Sequence, residues 1–359
     1  MIRTIAIGRQ IACDRSHSRI VGKPEVGRSS PKCCSVSNNW QLVCDVGKVE
    51  SNYYTLSKCK GQPMLSLKHI LVATDFSPIS LVALRHALGI ARRYHSNVSL
   101  LHVIDPSIYG LAGPDGISAD TENALRDAER IEAGLRGDGS LGELKFDSIV
   151  KVGPVWSTIA ETIEDKCSAA LVLGTHGRTG LSKLALGSVA ECAFREAQCP
   201  VLTVGPKVLQ SKSSGAEAKH FLVPTDLSPQ SMNALPYGLS LARATGGDLT
   251  LLHVIHSRVE SSIHDVESVR EMKTRLSEYL QLHPGTETMA HFLVEAGPPA
   301  HVIVRVAEHR QMDIIVMGLR AWSTESQPMW RTAYAVVTQA PCPVLSLRSE
   351  VPSDTNSIG

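Results

Sequence analysis

The chain has 359 residues, room for two or three domains, with the apolar content of an ordinary globular protein and few aromatics. Its formal net charge of +1 speaks against a broadly nucleic-acid-binding or membrane-surface protein. No apolar run approaches the roughly 18 residues that a membrane-spanning helix needs.

Residues 1–63 differ from everything after them. Arg and Lys outnumber Asp and Glu ten to four there, and no helical or alternating pattern persists, so the segment reads as an unstructured extension. An Arg- and Ser-rich, acid-poor start suits an organelle transit peptide. The rival reading is a mis-called start. Lys60-Gly61 must be encoded by AAR-GGN, a purine run suited to a bacterial ribosome-binding site just upstream of Met64, which would then be the initiator. Five of the nine cysteines (Cys13, Cys33, Cys34, Cys44 and Cys59) fall in this extension. The other four (Cys167, Cys192, Cys199 and Cys342) lie mostly on apolar patterns. No CxxC pair occurs, so zinc and thioredoxin-like readings have no support. The odd, irregular set suggests buried thiols in a reducing, cytoplasmic setting.

From residue 68 the pattern becomes regular. His69 to Thr74 is a short apolar strand, broken by Asp75-Phe76-Ser77-Pro78. Ile79 to Tyr94 carries Leu81, Leu84, Leu88 and Ala91 at helical spacing. Val98 to Ile104 is a second strand, 105–118 a Gly- and Pro-containing loop, and Ala119 to Leu135 an amphipathic helix. Leu144 to Val152 alternates as a strand does. Gly153-Pro154 opens a helix, with Pro154 near the first turn, where a missing N–H does no harm. Ala169 to Leu173 is a continuous apolar strand. A glycine-rich loop follows, from Gly174 through Gly177 and Gly180 to Gly187. Ser188 starts a helix running to about Gln198, and Pro200 to Val204 is a last strand. Alternation of strand and helix over about 140 residues predicts a parallel sheet covered on both faces.

Residues 207–219 read as a linker, after which the pattern restarts. Phe221 to Pro229 repeats Ile70 to Pro78, and Leu251 to Ile255 repeats Leu100 to Ile104, both offset by 151 positions. Gly297-Pro298, the strand ending at Gly318, and Cys342-Pro343-Val344-Leu345 repeat further landmarks in order. The chain is therefore a tandem duplication, with domains at 66–206 and 220–348 and a flexible tail at 349–359.

Strand, glycine-rich loop and helix N-terminus together suit an anion, because the first amides of a helix are unpaired and glycine permits close approach. Thr74-Asp75-Phe76-Ser77, Leu101-His102-Val103-Ile104-Asp105 and Gly174-x2-Gly177-x9-Gly187-Ser188 resemble the universal stress protein family. The resemblance covers 66–206 well and 219–348 more loosely, and the third motif is the signature of that family's ATP-binding members. It implies an α/β fold: two tandem doubly wound five-stranded parallel sheets of order 3-2-1-4-5 with flanking helices. Ligands then bind at the switch point between strands 1 and 4. It implies that Ala73 and Asp75 border the adenosine, with Asp75 near the ribose or a bound cation. Val103 would contact adenine through its backbone. Gly174 and Gly177 would wrap the ribose and first phosphates, and Leu173 belongs to the cofactor-binding set. Gly187, Ser188 and Val189 would hold the β- and γ-phosphates. The expected ligand is ATP, with or without Mg2+. Arg178 and Lys183 could add charge-assisted contacts.

Plainer readings stand beside these. Asp75 could be only a turn or cap former, as its twin Asp226 suggests. His102 and His253 read as satisfied core or edge histidines.

The second repeat departs from the motif. Ala321 stands where Gly177 does, Trp330-Arg331 where Gly187-Ser188 do, and Glu325 adds like charge. Its phosphate site is expected to be lost, although Pro224, Asp226 and Val254 still resemble the adenosine side. From this contrast, the glycines of the first copy are expected to serve a ligand and not the fold. The family pairs through last strands, so Val201–Val204 and Val344–Leu347 are expected to join the repeats as an internal pseudo-dimer; a homodimer is a further option.

The leading functional expectation is an ATP-binding stress protein with a sensing or regulatory role and little turnover. The alternatives are a slow ATP hydrolase or a nucleotidyl- or phosphotransferase, and a nucleotide-free dimerisation scaffold. No GxxxxGK[ST] loop, no kinase HRD or DFG set and no Ser-Gly-Gly-x-Asp-Ser loop occurs. His176 is the only candidate general base in the loop.

Overall fold

A computed structural model describes residues 57–59, 62–64, 67–109, 113–175, 186–210, 218–255, 290–319 and 327–348, with a few positions between 270 and 278. The extension is not without structure at its end. Strands β1 (Ser57–Cys59) and β2 (Gln62–Met64) pair antiparallel, a departure from the unstructured reading of 1–63.

The first repeat opens with β3 (His69–Ala73), buried along its whole length as a strand covered on both faces must be. Ser77 caps the next helix, α1 (Pro78–Tyr94). Its hydroxyl accepts the Ser80 N–H, and Pro78 occupies a first-turn position where no N–H is needed. Then follow β4 (Asn97–Ile104), α2 (Gly113–Gly137), β5 (Phe146–Val152), α3 (Val155–Asp165), β6 (Ala170–Gly174), α4 (Ser188–Glu196) and β7 (Val201–Val204). Helix α2 starts six residues before the sequence pattern placed it. The expected linker is partly built in, since Pro206–Gln210 forms a 3-10 turn and Val208 and Ala218 are buried.

The second repeat contains β8 (His220–Thr225), α5 (Pro229–Met232), α6 (Ala234–Thr245), β9 (Asp248–Ile255), β10 (Ala290–Ala296), α7 (Pro299–His309), β11 (Ile314–Leu319), α8 (Gln327–Gln339) and β12 (Val344–Arg348). Helices α5 and α6 together match α1. The twin of α1 is interrupted at Asn233, three residues before Pro236, whose ring lacks an N–H and crowds the carbonyl four residues back.

All ten strands of the two repeats form one sheet, in the order β10-β9-β8-β11-β12-β7-β6-β3-β4-β5. Each half has the order 3-2-1-4-5 in its own strand numbering and is parallel throughout. At the centre β12 and β7 run antiparallel, with Val344 opposite Thr203, Leu345 opposite Leu202 and Ser346 opposite Val201. The last strand of each repeat thus covers the edge of the other, and the pairing surface is consumed inside the chain.

Successive strand residues face opposite ways, so the seam has two packed faces. On one, Leu71, Leu171, Val201 and Val344 share a core with Phe194 of α4 and with Val336 and Val337 of α8. On the other, Ile70, Val172, Leu202 and Leu345 meet Ile90 of α1 and Tyr237 and Leu241 of α6 around an apolar cavity of about 30 Å³. That space holds about one water molecule and is far too small and too apolar for a nucleotide.

Candidate functional site

Of the expected site residues, Ala73, Asp75, Val103, Leu173 and Gly174 lie at or next to the carboxyl ends of three adjacent strands. Ala73 of β3 lies in register with Leu101 of β4 on one side and Leu173 of β6 on the other. Both Ala73 and Leu173 are buried, so a ligand would meet them mainly through the backbone. Thr74 donates its N–H to the Leu101 carbonyl at 2.9 Å, the last step of the β3–β4 ladder. Main-chain groups alternate sides along a strand, so those of Val103 face the same way as those of Leu101. They lie beyond the end of β3, over the crevice where β3 and β6 diverge. That is the switch point of the sheet.

The Thr74–Ser80 segment is a compact turn, and its twin repeats its principal hydrogen bonds. The Thr74 hydroxyl accepts the Phe76 N–H at 2.9 Å and pairs with the Ser80 hydroxyl at 2.9 Å. In the second repeat Thr225 accepts the Leu227 N–H at 2.9 Å and pairs with Ser231 at 2.8 Å. Asp75 Oδ1 accepts the Ser77 N–H at 3.0 Å, as Asp226 Oδ1 accepts the Ser228 N–H at 3.0 Å. The residues between, Phe76 and Leu227, take the left-handed conformation at φ 61° and 65°. The turn-forming reading of Asp75 therefore describes one of its oxygens in both repeats.

The strand histidines belong to the same device. His102 Nδ1 lies 2.7 Å from the Thr74 carbonyl and His253 Nδ1 lies 2.9 Å from the Thr225 carbonyl. A carbonyl only accepts, so Nδ1 carries the proton in each ring. The His102 ring also stacks on Phe76, with centroids 4.6 Å apart. These histidines tie each strand-1 end to strand 2.

Gly174 requires a correction. A Cβ there would stand 2.7 Å from Ile79 Cγ2 and 3.3 Å from the Ser80 nitrogen, at the start of α1. At Gly318 a Cβ would stand 2.0 Å from the Gln230 carbonyl oxygen. Both glycines let the first helix approach the end of strand 4. A glycine at this position thus serves the fold in both copies, and Gly174 is not there for a ligand alone.

The phosphate side of the motif is built at the start of α4. Gly187 donates its N–H to the Thr175 carbonyl at 2.7 Å, which pins the helix start to the end of β6. Its φ of −63° and ψ of 150° are open to any residue, so no backbone strain demands glycine there. The first intrahelical bond runs from the Glu191 N–H to the Gly187 carbonyl at 2.8 Å. The amides of Ser188, Val189 and Ala190 precede it and have no partner within the helix. Ser188 is exposed and Val189 half-buried. Glu191 in this first turn opposes an anion, but its carboxylate is paired with Arg195 at 3.3 Å. The Leu186 N–H, just before the cap, is donated to the hydroxyl of Tyr334 on α8 at 2.8 Å. Tyr334 gives no signal in either repeat's motif and was not anticipated from the sequence.

Gly177, His176, Arg178 and Lys183 lie outside the described residues. So do Ala321, Trp322 and Glu325, and the side chain of Trp330. Arg331 is exposed on α8. Among the described residues no group of three or more His, Cys, Asp or Glu side chains is placed to hold a metal ion, and no helix is long and apolar enough to cross a membrane.

Comparison with known proteins gives one family. The model of the universal stress protein family matches residues 66–205 and again residues 217–348. Universal stress protein MJ0531 of Methanocaldococcus jannaschii is 31% identical over 153 residues, covering 42% of this chain and 90% of its own. Universal stress protein MJ0577 of the same organism is 32% identical over 155 residues, covering 39% and 96%. The crystal structure of a universal stress protein from Archaeoglobus fulgidus matches over 78% of this chain and 98% of its own, with a TM-score of 0.59 at 23% identity, a likeness of fold. Two matches of one family model, to two halves with one topology, lead to a single conclusion: the chain belongs to the universal stress protein family, as a tandem pair of its domains.

Proposed function

We propose that the first repeat binds an adenine nucleotide, ATP foremost, and that the chain acts in stress response as a nucleotide-dependent regulator with little turnover. The observation that carries this reading is the seating of α4. The Gly187 amide is spent on the Thr175 carbonyl, so the helix that begins at Ser188 starts beside the carboxyl end of β6, next to the end of β3, and its first amides are left for a ligand. A helix start in that position favours negative charge, by about 0.3–1 kcal/mol when exposed and more when partly buried. Bound there, the triphosphate would meet Ser188 and Val189, and the adenosine would lie along Ala73, Val103 and Leu173. Gly174 and Gly177 would flank the ribose, and Asp75 would be the carboxylate available to a Mg2+ carried by the nucleotide.

The glycine at position 187 supports a ligand role because the backbone does not require it. The second repeat carries a tryptophan, Trp330, at the equivalent sequence position, so it lacks the glycine that lets a phosphate come close to the backbone. One nucleotide per chain is therefore expected. Calorimetric titration of the purified full chain with ATP tests this, alongside Gly187→Trp and a thermal-unfolding control. The variant should keep its melting temperature and lose affinity about a hundredfold or more, the scale of one well-placed anion contact removed. Unchanged affinity, or two nucleotides per chain, would overturn the reading. A single-turnover measurement with labelled ATP separates a regulator from an enzyme.

A further inference from the structure

We propose that Tyr334, in the repeat that lacks the phosphate motif, is a positioning residue for the nucleotide site of the other repeat. The inference rests on the nucleotide reading above and names the device that shapes the site. Two consecutive amides at the exit of the glycine-rich loop are held. Gly187 is held by Thr175 of its own repeat, and Leu186 by the Tyr334 hydroxyl 148 positions further along. Fixing both N–H vectors fixes the peptide planes that lead into Ser188 and Val189. The donors meant for phosphate are then oriented before any ligand arrives, which is what preorganisation requires.

Tyr334 is itself well seated. It lies on α8, packs against the core shared by the repeats, and is flanked by buried Ala333, Val336 and Val337. Leu186 is buried as well, so both ends of the bond are anchored. The contact runs one way. Counting back from the Cys-Pro landmarks, the position equivalent to Tyr334 in the first repeat is Glu191. Its carboxylate turns to Arg195 on its own helix and not across the seam. The second repeat has kept its fold and exchanged a phosphate site of its own for a hydroxyl that serves its neighbour's.

The test is Tyr334→Phe in the full chain, which keeps the ring and removes only the hydroxyl. ATP and adenosine affinities are measured for both proteins. Amide hydrogen exchange at Leu186–Val189 is followed without nucleotide. The variant should bind ATP about three- to tenfold more weakly, the span of one hydrogen bond, with adenosine unchanged and Leu186 exchanging faster. Equal weakening of ATP and adenosine would mean that Tyr334 merely supports the fold, and would overturn the inference. So would an unchanged ATP-to-adenosine ratio or unchanged exchange at Leu186. If the wild-type chain binds no ATP, the nucleotide reading itself has failed, an outcome visible before the variant is considered.

Discussion

The two repeats are a controlled pair: one topology, one sheet, and two treatments of the loop after strand 4. What both keep reveals what the fold needs. The Thr-Asp-x-Ser turn, the histidine that holds its carbonyl and the close-approach glycine at strand 4 recur with matching bonds. What only the first repeat keeps is the glycine at position 187 and the serine after it. That glycine sits in a conformation which asks for no special residue. The fold's demand for glycine is visible at Gly174, in its close approach to α1, whereas the backbone conformation at Gly187 makes no such demand.

The pair can be broken most severely at its strand-4 glycines. Gly318→Ala drives a methyl to within 2.0 Å of a helix backbone oxygen, and should cost about 3 kcal/mol or more. Gly174→Ala meets the Ile79 Cγ2 methyl at 2.7 Å and the Ser80 nitrogen only at 3.3 Å, a milder clash that should cost about 1–2 kcal/mol. Urea denaturation of both variants measures the difference; equal losses would mean that the two approaches are not as different as they look.

A second asymmetry lies at the seam. His86 of α1 is buried with neither ring nitrogen hydrogen-bonded, whereas the equivalent position on α6 is Tyr237. Burial first, and then the Arg85 charge, push the His86 pKa down to about 4 against the pull of Asp313. The native state keeps this ring neutral while the unfolded chain takes up its proton near pH 6.5. Stability is therefore unaffected above that pH and falls as pH drops towards 4, by about 2 kcal/mol at pH 5. Denaturation at pH 7.5 and pH 5 should show this slope, and His86→Leu should remove that share of it. A slope that survives the substitution would assign it elsewhere.

Thr74→Val and Thr225→Val sharpen the common part. Each strips a buried hydroxyl that accepts one N–H and pairs with one serine. Losses of about 2 kcal/mol, matched between repeats, are expected from leaving those partners unpaired. A large mismatch would show that the turn does different work in the two copies.

The smallest effect is chemical. Cys199 and Cys342 stand at equivalent strand-5 starts, and burial pushes both thiols up to about 12. Native alkylation followed by peptide mass spectrometry should spare both alike while exposed Cys167 reacts. Unequal protection of the pair would mean that one repeat opens more readily.

Much of this was legible in the sequence. The buried strands β3, β4 and β6 could be placed to within a residue or two, because a parallel strand covered on both faces is a short unbroken apolar run. The offset of 151 positions revealed the duplication directly. Less legible was α2, whose opening Gly113-Pro114-Asp115-Gly116 looks like a turn although proline is welcome in a helix's first turn. Cys167 was read with the buried thiols, yet it lies exposed at φ 48° just after α3. The helix start at Ser188, with Gly187 before it, could be read from the spacing of the motif. The fold role of Gly174 could not, since a glycine required by a neighbouring helix and one required by a ligand look the same in a sequence.

The sequence by itself determined the two copies, their strand and helix order, and which copy retains the glycine-serine pair. Those are local properties, carried by residue spacing and periodicity. Only the tertiary structure decided the register in which β7 and β12 join the two halves, that Gly174 and Gly318 each make room for the first helix of their own repeat, and that Tyr334 reaches Leu186. Each of these depends on the distance between segments far apart in the chain, and such distances are set only once both faces of the sheet have packed.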